Sequence, residues 1–551
     1  MKNQIPFPFL GIKNYKLIKE NVFDFSEITF LIGPNNCGKS SVLKALQLLR
    51  DNFCDPDFKT RNFSKLKFDS KPMSGTYKSC LNSETNDEKM SFMFPCFLYE
   101  ESLGINMVYD FSIMDEKGYL STFSVFQEQS QDNFQSIFQI NEDFHPEDGY
   151  FLRANINYNY FRSKLIEEHK RQIEKYNEIP EPRKGKKYNI NNIFELFEDS
   201  SKSKRKASIS RTLNNFNPEN SFFNFEFINN YASDKSETVL ENEYLENITE
   251  KDLSLMFYNW DAMINYLAQE EIDELFLKCG KEFKMGNGIT KIVPTENGRV
   301  FFLKVAQMLD IILDDVINRF QNTLHISSAK SDQERIYKDN EKNNLFAKIL
   351  FDYIDKNGNS NFEYVNKWLN KLKIISDDEQ FQVERPADSA SVPLIQNSLT
   401  GYQRNLIDFG FGTTQIVMFL LVVSTKSNKN KLILLEEPEM NLHPNLQSQL
   451  ADLLADASRE FKIQFIVETH SEYLIRKMQV NIGEGSYGDI YTIDKNDCVL
   501  YYFGSEGGSS KSNIKKIEFT SKGGLTDDFG KGFYDEALIW RLELLSIQNH
   551  N

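Results

Sequence analysis

The sequence predicts an α/β fold built on a phosphate-binding loop, with a large, mainly helical insert in the middle of the chain. Three observations carry this. Gly33-Pro34-Asn35-Asn36-Cys37-Gly38-Lys39-Ser40 fills the eight-position phosphate-loop pattern, between an apolar β-prone run, Ile28 to Ile32, and a helical pattern, Ser41 to Leu49. A second apolar run, Leu432 to Leu435, ends in Glu436-Glu437-Pro438, and a third, Ile463 to Val467, ends in Glu468-Thr469-His470-Ser471-Glu472. Nearly four hundred residues separate the loop from the first of these acids, so the two halves of one site flank the insert.

Each residue type in the loop has a task. Small residues and glycines let backbone N–H groups turn toward phosphate oxygens, and the following helix adds the positive end of its dipole. Lys39 supplies a mobile cation, and the Ser40 hydroxyl can coordinate Mg²⁺. Asn35, Asn36, Cys37, Gly38, Lys39, Ser40 and Ser41 are therefore the candidate nucleotide contacts.

An apolar strand that ends in two acids is hard to explain by packing, because an unpaired carboxylate in a dry environment is costly. A nucleotide site gives both a use: Glu436 to hold Mg²⁺ directly or through water, Glu437 to orient or deprotonate the attacking water. Pro444 is placed to enter a helix reaching about Ala457. His470, directly after an apolar strand, fits either a γ-phosphate contact or a helix cap. Gly410 to Gln415 precedes the apolar helix Ile416 to Val423, and glycines and hydroxyls at a helix start can bind anions.

The composition sets outer limits. At 551 residues the chain is too long for one core. A net charge of −16 argues against a surface that is basic all over, without excluding a local basic groove. Six cysteines without pairing or metal-like spacing predict neither a disulfide framework nor a zinc site, and fit a reducing cytosol. The first residues lack a secretory apolar region, and the longest aliphatic run, Ile416 to Val423, is too short to span a bilayer. A cytoplasmic protein without a membrane partner is expected.

Taken in order, residues 1–160 open the nucleotide-binding domain, with β-prone stretches at 90–98, 105–113 and 119–126 expected to form an antiparallel sheet. Residues 51–80 read as a polar surface loop, and Phe161 to Tyr176 as a helix. Residues 161–212 form a basic flexible segment, carrying 14 Lys or Arg against 8 Asp or Glu up to Arg211. Its clusters Arg183 to Lys187 and Lys202 to Lys206 fit either a DNA- or RNA-phosphate patch or a solvated loop. Residues 213–395 are expected to be the mainly helical insert, with helical spacing over Leu253 to Lys281, Val300 to Leu324, Asn344 to Ile354 and Phe362 to Leu372. No long uninterrupted heptad appears, which argues for a compact insert over a coiled-coil arm. Residues 396–551 return to the nucleotide-binding domain. Ser328-Ala329-Lys330 matches the last GTPase motif, yet no Asn-Lys-x-Asp occurs to recognise guanine, so ATP is the expected nucleotide.

Together, Gly33 to Ser40, Gly410 to Gln415, Glu436 to Glu439, Leu442 to Pro444 and Glu468 to Glu472 resemble, in that order, the ATP-binding-cassette-like heads of AAA-type ATPases related to SMC and DNA-repair proteins. More closely they are similar to the bacterial group of overcoming-lysogenization nucleases and the ATPase subunits of Septu-type phage-defence systems. Gly523 to Leu525, Asp528 to Gly530 and Gly532 to Glu536 look like the terminal segment of a subset of these. The middle matches only loosely, at Leu324 to Tyr337 and Trp368-Leu369. Two departures stand out: Glu436 occupies a position where transporter-type heads carry Asp, and the signature segment lacks the serine-glycine-glycine order.

The resemblance implies a P-loop NTPase head of ABC/SMC type that closes on a second copy. Nucleotide on Lys39 and Ser40 of one subunit would be covered by Gly412, Thr413 and Thr414 of the other, with His470 as switch residue and Glu439 to Leu442 as a cross-interface loop. A homodimer or higher even-numbered oligomer is expected. The overcoming-lysogenization nucleases carry a metal-dependent topoisomerase-primase domain after the head. Eighty-one residues follow His470 here, and Asp527-Asp528 is too little for a metal cluster. The chain is thus expected to leave cleavage to a separate nuclease or toxin effector. The expected function is an ATPase, with ATP and Mg²⁺ as cofactors, acting as a sensor in antiphage defence. An SMC-like DNA-repair ATPase and a nucleotide-gated scaffold with little turnover are the rivals.

Overall fold

The computed structural model describes residues 5–55, 65–68 and 76–157, with gaps at 100, 112–117, 131–132 and 146–148. It further describes scattered positions from 160 to 167, then 254–257, 280–284, 290–294, 296–327 and 333–529, with gaps at 340–343, 359–360, 388, 429–430, 485–492 and 506–511, and isolated positions from 540 to 547. The basic clusters at 183–187 and 202–206, most of the expected helix at 161–176, the Ser328 to Lys330 motif and the Gly532 to Glu536 segment lie outside the described residues. The chain divides into two compact units. The first joins Met1–Arg50, Asn82–Thr85 and Arg319–Asn551; the second joins Asp51–Leu81 and Asn86–Asn318.

The first unit begins with an antiparallel pair, β1 (Phe9–Tyr15) and β2 (Ile18–Asp24), followed by β3 (Ile28–Ile32) and α1 (Lys39–Phe53). β3 is buried at every position. A strand covered on both faces needs a near-continuous apolar run, and Ile-Thr-Phe-Leu-Ile supplies it, with the buried Thr29 hydroxyl accepting the Ser26 N–H at 3.0 Å.

The described residues of the second unit are mainly β structure. It contains β4 (Lys65–Leu66), the short α2 (Tyr77–Cys80), β5 (Met90–Leu98), β6 (Glu101–Phe111), β7 (Gly118–Ser130), β8 (Asn133–His145), β9 (Gly149–Ile156) and β10 (Ser254–Phe257). β5 to β10 are consecutive antiparallel neighbours, and β4 pairs with β7. Alternating apolar residues such as Phe92, Phe94, Ile105, Met107, Phe123 and Val125 form the buried face. At the described end of the polar stretch 51–80, Thr76 caps α2 through a capping box, and the Tyr77 hydroxyl donates to Tyr109 O at 2.6 Å. β11 (Gly280–Lys284) and β12 (Thr290–Pro294) form a hairpin before α3 (Glu296–Gln321). The helical spacing over Leu253 to Lys281 is thereby corrected at both ends, since β10 and β11 are strands there. Cross-strand pairing outweighs a spacing that a helix would also satisfy.

The rest of the first unit holds β13 (Thr323–Ile326), β14 (Tyr337–Lys338), α4 (Leu345–Asn357), α5 (Glu363–Lys371), β15 (Glu379–Ala387), β16 (Ala390–Asn397) and β17 (Gln403–Asn405). After these come α6 (Phe411–Ser424), β18 (Leu432–Glu436), α7 (Pro444–Phe461), β19 (Gln464–Glu468), α8 (Glu472–Glu484), β20 (Cys498–Ser505) and β21 (Ser512–Glu518). The central sheet has the order β13-β18-β19-β3-β20-β21. All pairs are parallel except β20–β21. The expected insert therefore runs differently from its sequence limits: residues 319–395 belong with the first unit, because β13 is an edge strand of this sheet.

α4, α5 and α6 pack beside the sheet in one core with Phe346, Leu350, Trp368, Leu420, Leu453 and Phe465. α6 is buried on all sides from Ile416 to Ser424, which explains a composition too uniformly apolar for an amphipathic helix.

Candidate functional site

The parallel sheet puts the C-terminal ends of β3, β18 and β19 side by side, where open α/β sheets bind ligands. β3 leads into the phosphate loop, β18 into Glu436-Glu437, and β19 into Glu468 to His470. Register fixes the alignment: Glu436 lies opposite Glu468, and Glu468 opposite Leu31.

The loop needs its glycines. Gly33 has φ +143°, and a Cβ there would stand 2.2 Å from the Phe503 carbonyl oxygen of β20. Gly38 has φ +102°, with the Leu17 side chain 3.3 Å from where its Cβ would stand. Pro34, Asn35 and Asn36 are exposed, whereas Cys37 and Gly38 are buried. The Ser41 amide closes the first turn onto Gly38 O at 3.0 Å. Lys39 is 3% exposed and donates from Nζ to Gly33 O at 2.9 Å and Pro34 O at 2.7 Å. Burial pulls its pKa down, with Glu468 the main opposing charge.

Beyond the loop the acids are shared out unexpectedly. The Ser40 hydroxyl donates to Glu468 Oε1 at 2.7 Å. Glu436 instead meets His325 of β13, Nε2 to Oε1 3.2 Å. Burial pushes the Glu436 carboxyl up, but His325, Lys44 and Gln47 outweigh it and hold it below its ordinary value. Glu468 goes the other way: burial raises it, against Ser40 and Lys39, and Glu436 and Glu437 add to the rise. Its Oε2 is buried without a hydrogen-bond partner.

Glu437 sits in a left-handed conformation, φ +44°, with its amide bound to Glu468 O at 2.8 Å. A non-glycine residue held there stores strain, a recurring feature of functional sites. Its carboxylate lies 3.7 Å from His470 Nε2. Burial lowers the His470 pKa, with Lys39 adding to the effect and Glu437 opposing it. Both catalytic candidates are partly open to solvent, 38% for the Glu437 side chain and 33% for His470, so a ligand can reach them.

Behind this pair lies Glu439, 6% exposed, whose Oε1 accepts the His470 backbone N–H at 2.7 Å. Burial raises its carboxyl. Glu439, the first residue of the segment expected to reach across an interface, is turned into the fold by this bond. Met440 is exposed at the tip of the turn.

The Gly410 to Gln415 segment forms the start of α6, and Gln415 Nε2 donates to Pro438 O at 3.2 Å, tying that start to the turn after Glu437. Gly412 and Thr413 are partly exposed. Thr414 is corrected as a phosphate contact: it is 2% exposed, and its hydroxyl accepts from Gln333 at 2.8 Å. The helical turn carries it to the interior face. Nearby, Arg335 pairs with Asp408 at 2.6 Å just ahead of α6.

Sequence reading missed His325, the contact of Glu468 with Ser40 and the inward turn of Glu439. Glu468 had a signal, an apolar strand ending in an acid as Glu436 does. His325 and the inward turn of Glu439 had none, since each depends on pairing or turn geometry. Among the described residues no three His, Cys, Asp or Glu side chains form a ready-made metal cluster. Mg²⁺ needs none, because it keeps several waters and takes one or two carboxylates together with substrate phosphates.

A phosphate loop at the end of one parallel strand, with acids and a histidine at the ends of its neighbours, defines a P-loop NTPase with an α/β fold. A family model described as an AAA ATPase domain matches residues 9–475, and the chain belongs to that family. No curated protein matches the chain. Among solved structures it is similar to an SMC head domain from Thermotoga maritima, with 11% identity and TM-score 0.33, covering 93% of this chain and 99% of that one. It is also similar to an Smc head domain with a coiled coil and joint from Pyrococcus yayanosii, with 11% identity, TM-score 0.35 and coverage of 94% and 97%. A third is the Smc head domain from Pyrococcus furiosus, bound to the C-terminal domain of ScpA, with 13% identity, TM-score 0.34 and coverage of 93% and 96%.

Proposed function

We propose that this AAA-family ATPase binds and hydrolyses ATP with Mg²⁺ as the sensor or regulator of a bacterial antiphage system, controlling a separate nuclease or toxin. The observation that carries the ATPase reading is the Glu437–His470 pair at 3.7 Å beside the buried Lys39. Lys39 exchanges its two loop carbonyls for phosphate oxygens. Glu437 orients and deprotonates the attacking water, and His470, whose pKa burial lowers, presents its ring to the γ-phosphate.

The residues fit a divalent cation: the Ser40 hydroxyl and the strand-end acid Glu436 would hold it, and the unpartnered Glu468 Oε2 leaves the site electron-rich. Bound there, the ion would neutralise charge on the phosphate oxygens. Gly412 and Thr413, partly exposed at the start of α6, are the positions offered to a second copy's nucleotide. The defence role rests on the order of motifs, which resembles the overcoming-lysogenization and Septu group.

The test is steady-state ATPase with and without DNA and with the neighbouring gene product. Lys39→Ala is expected to lose ATP binding, and Glu437→Gln to bind ATP and accumulate a closed dimer without turnover. Equal hydrolysis by wild type and Glu437→Gln refutes the assignment. Stimulation by DNA alone with no effector bound points to repair, and no turnover under any condition points to a scaffold.

A further inference from the structure

We propose that Gln415, in the first turns of α6, is a positioning residue for Glu437 of its own chain: its side-chain N–H holds the Pro438 carbonyl and, through it, the strained turn that carries the water-activating acid. This rests on the reading of Glu437 as that acid.

The turn meets α6 at two places. Gln415 Nε2 donates to Pro438 O at 3.2 Å, one residue beyond Glu437. Three residues before Gln415, Gly412 lies so close to the other end of the turn that a Cβ there would stand 2.9 Å from Asn441 O and 3.2 Å from the Leu442 side chain. Residues three apart share one face of a helix, so both contacts belong to the same side of α6. Leu442 is itself part of the buried core, which leaves the turn little room to withdraw.

Such a hold is needed. Glu437 has φ +44° and Asn441 φ +63°, so the turn begins and ends on residues in the left-handed region. Non-glycine residues stay there only where their surroundings over-determine them. The Glu437 N–H on Glu468 O and the His470 N–H on Glu439 anchor the turn to the end of β19. Gln415 anchors it to α6. Without that donor the Pro438 carbonyl can rotate and Glu437 can leave the left-handed region, carrying its carboxylate away from His470, now 3.7 Å distant.

Packing alone does not account for a glutamine at this position. Gln415 lines a small cavity with Ile326, Phe419, Leu435 and Leu450, and its Oε1 is buried with no hydrogen-bond partner among the described residues. A methionine of similar length would fill the same space without an unsatisfied acceptor, which costs stability. What the amide supplies in return is the donor to Pro438 O.

The experiment measures steady-state ATP hydrolysis, with kcat and KM separated, beside thermal unfolding of wild type, Gln415→Met, Gln415→Glu and Glu437→Gln. Gln415→Met removes the donor and the unsatisfied acceptor together, so kcat is expected to fall roughly 10-fold while KM is unchanged and Tm is held or raised. A merely structural glutamine would lose Tm along with rate. Gln415→Glu, which at neutral pH sets an acceptor against Pro438 O, is expected to lose at least as much kcat, and it carries the test if Gln415→Met does not fold. Gln415→Met chains are then mixed with Glu437→Gln chains. If Gln415 serves its own chain, both members of a mixed pair are defective and no activity is regained. If it serves the partner's nucleotide, the mixed pair holds one intact site and activity rises toward that of wild type mixed with Glu437→Gln. Such a rise overturns the proposal, as does a Tm that falls in step with kcat in both Gln415 variants. If Glu437→Gln hydrolyses ATP as wild type does, the reading of the site itself is wrong. If Glu437→Gln is inactive and both Gln415 variants keep the wild-type kcat, the site stands and this assignment falls.

Discussion

Glu439→Ala isolates what holds His470 in place. The carboxylate is 6% exposed and accepts the His470 backbone N–H at 2.7 Å, so alanine leaves that amide without its partner. A hydrogen bond to a charged acceptor contributes about 1.5–3 kcal/mol. If that energy fixes the imidazole relative to Glu437, now 3.7 Å away, its loss lowers kcat by roughly 10- to 160-fold. Nucleotide binding should hardly change, because the loop contacts of Lys39 and Ser40 are untouched. Stability should fall by less than kcat implies, since Glu439 Oε2 is itself buried without a partner and its removal relieves a cost. Glu439→Gln keeps an acceptor oxygen and should restore most of the rate. The assay is steady-state ATP hydrolysis with kcat and KM separated, beside thermal unfolding of each variant. An alanine variant that turns over like wild type, or a glutamine variant as slow as alanine, refutes this account.

Two stability predictions follow from carboxylates away from the site, one buried and one half-buried. Asp456 on α7 is 4% exposed and accepts from Trp368 Nε1 at 2.8 Å and the Tyr364 hydroxyl at 3.1 Å, so Asp456→Ala should cost about 3 kcal/mol in urea unfolding and Asp456→Asn distinctly less. An unchanged midpoint for Asp456→Ala contradicts this. Glu27 has its carboxyl raised by burial first and by Asp497 second, against the Ser458 hydroxyl. Its folded pKa is above the unfolded one, so the ionised form costs stability at alkaline pH and the cost disappears as pH falls below the unfolded value of about 4.3. Glu27→Gln should raise the Tm in mildly alkaline buffer, with the gain shrinking toward that pH; a gain independent of pH contradicts the assignment.

The phosphate loop and the two apolar strands that end in acids were legible because each is written within a few consecutive residues. What joins them was not, because parallel pairing brings together residues with no sequence relation. Nothing around Thr323 to Ile326 announces that His325 will face Glu436, more than a hundred residues away. Glu468 shows the opposite case: its signal was present, but a strand ending in a single acid before Thr-His-Ser was read for the histidine alone. Thr414 failed for a helical reason, since one step along α6 turns a side chain by about 100° and separates it from Thr413. The spacing over Leu253 to Lys281 satisfied a helix, but strand pairing took its two ends.

β3 has β19 on one side and β20 on the other, both more than four hundred residues further along the chain. At a synthesis rate of about 5–20 residues per second, the strand leading into the phosphate loop waits roughly 20 to 90 s for either neighbour to be made. Through that interval a strand apolar except for Thr29 has neither edge paired, which makes the nascent chain a natural client for chaperones. A chain stalled before Gln464 would carry every residue of the phosphate loop and have no nucleotide site at all.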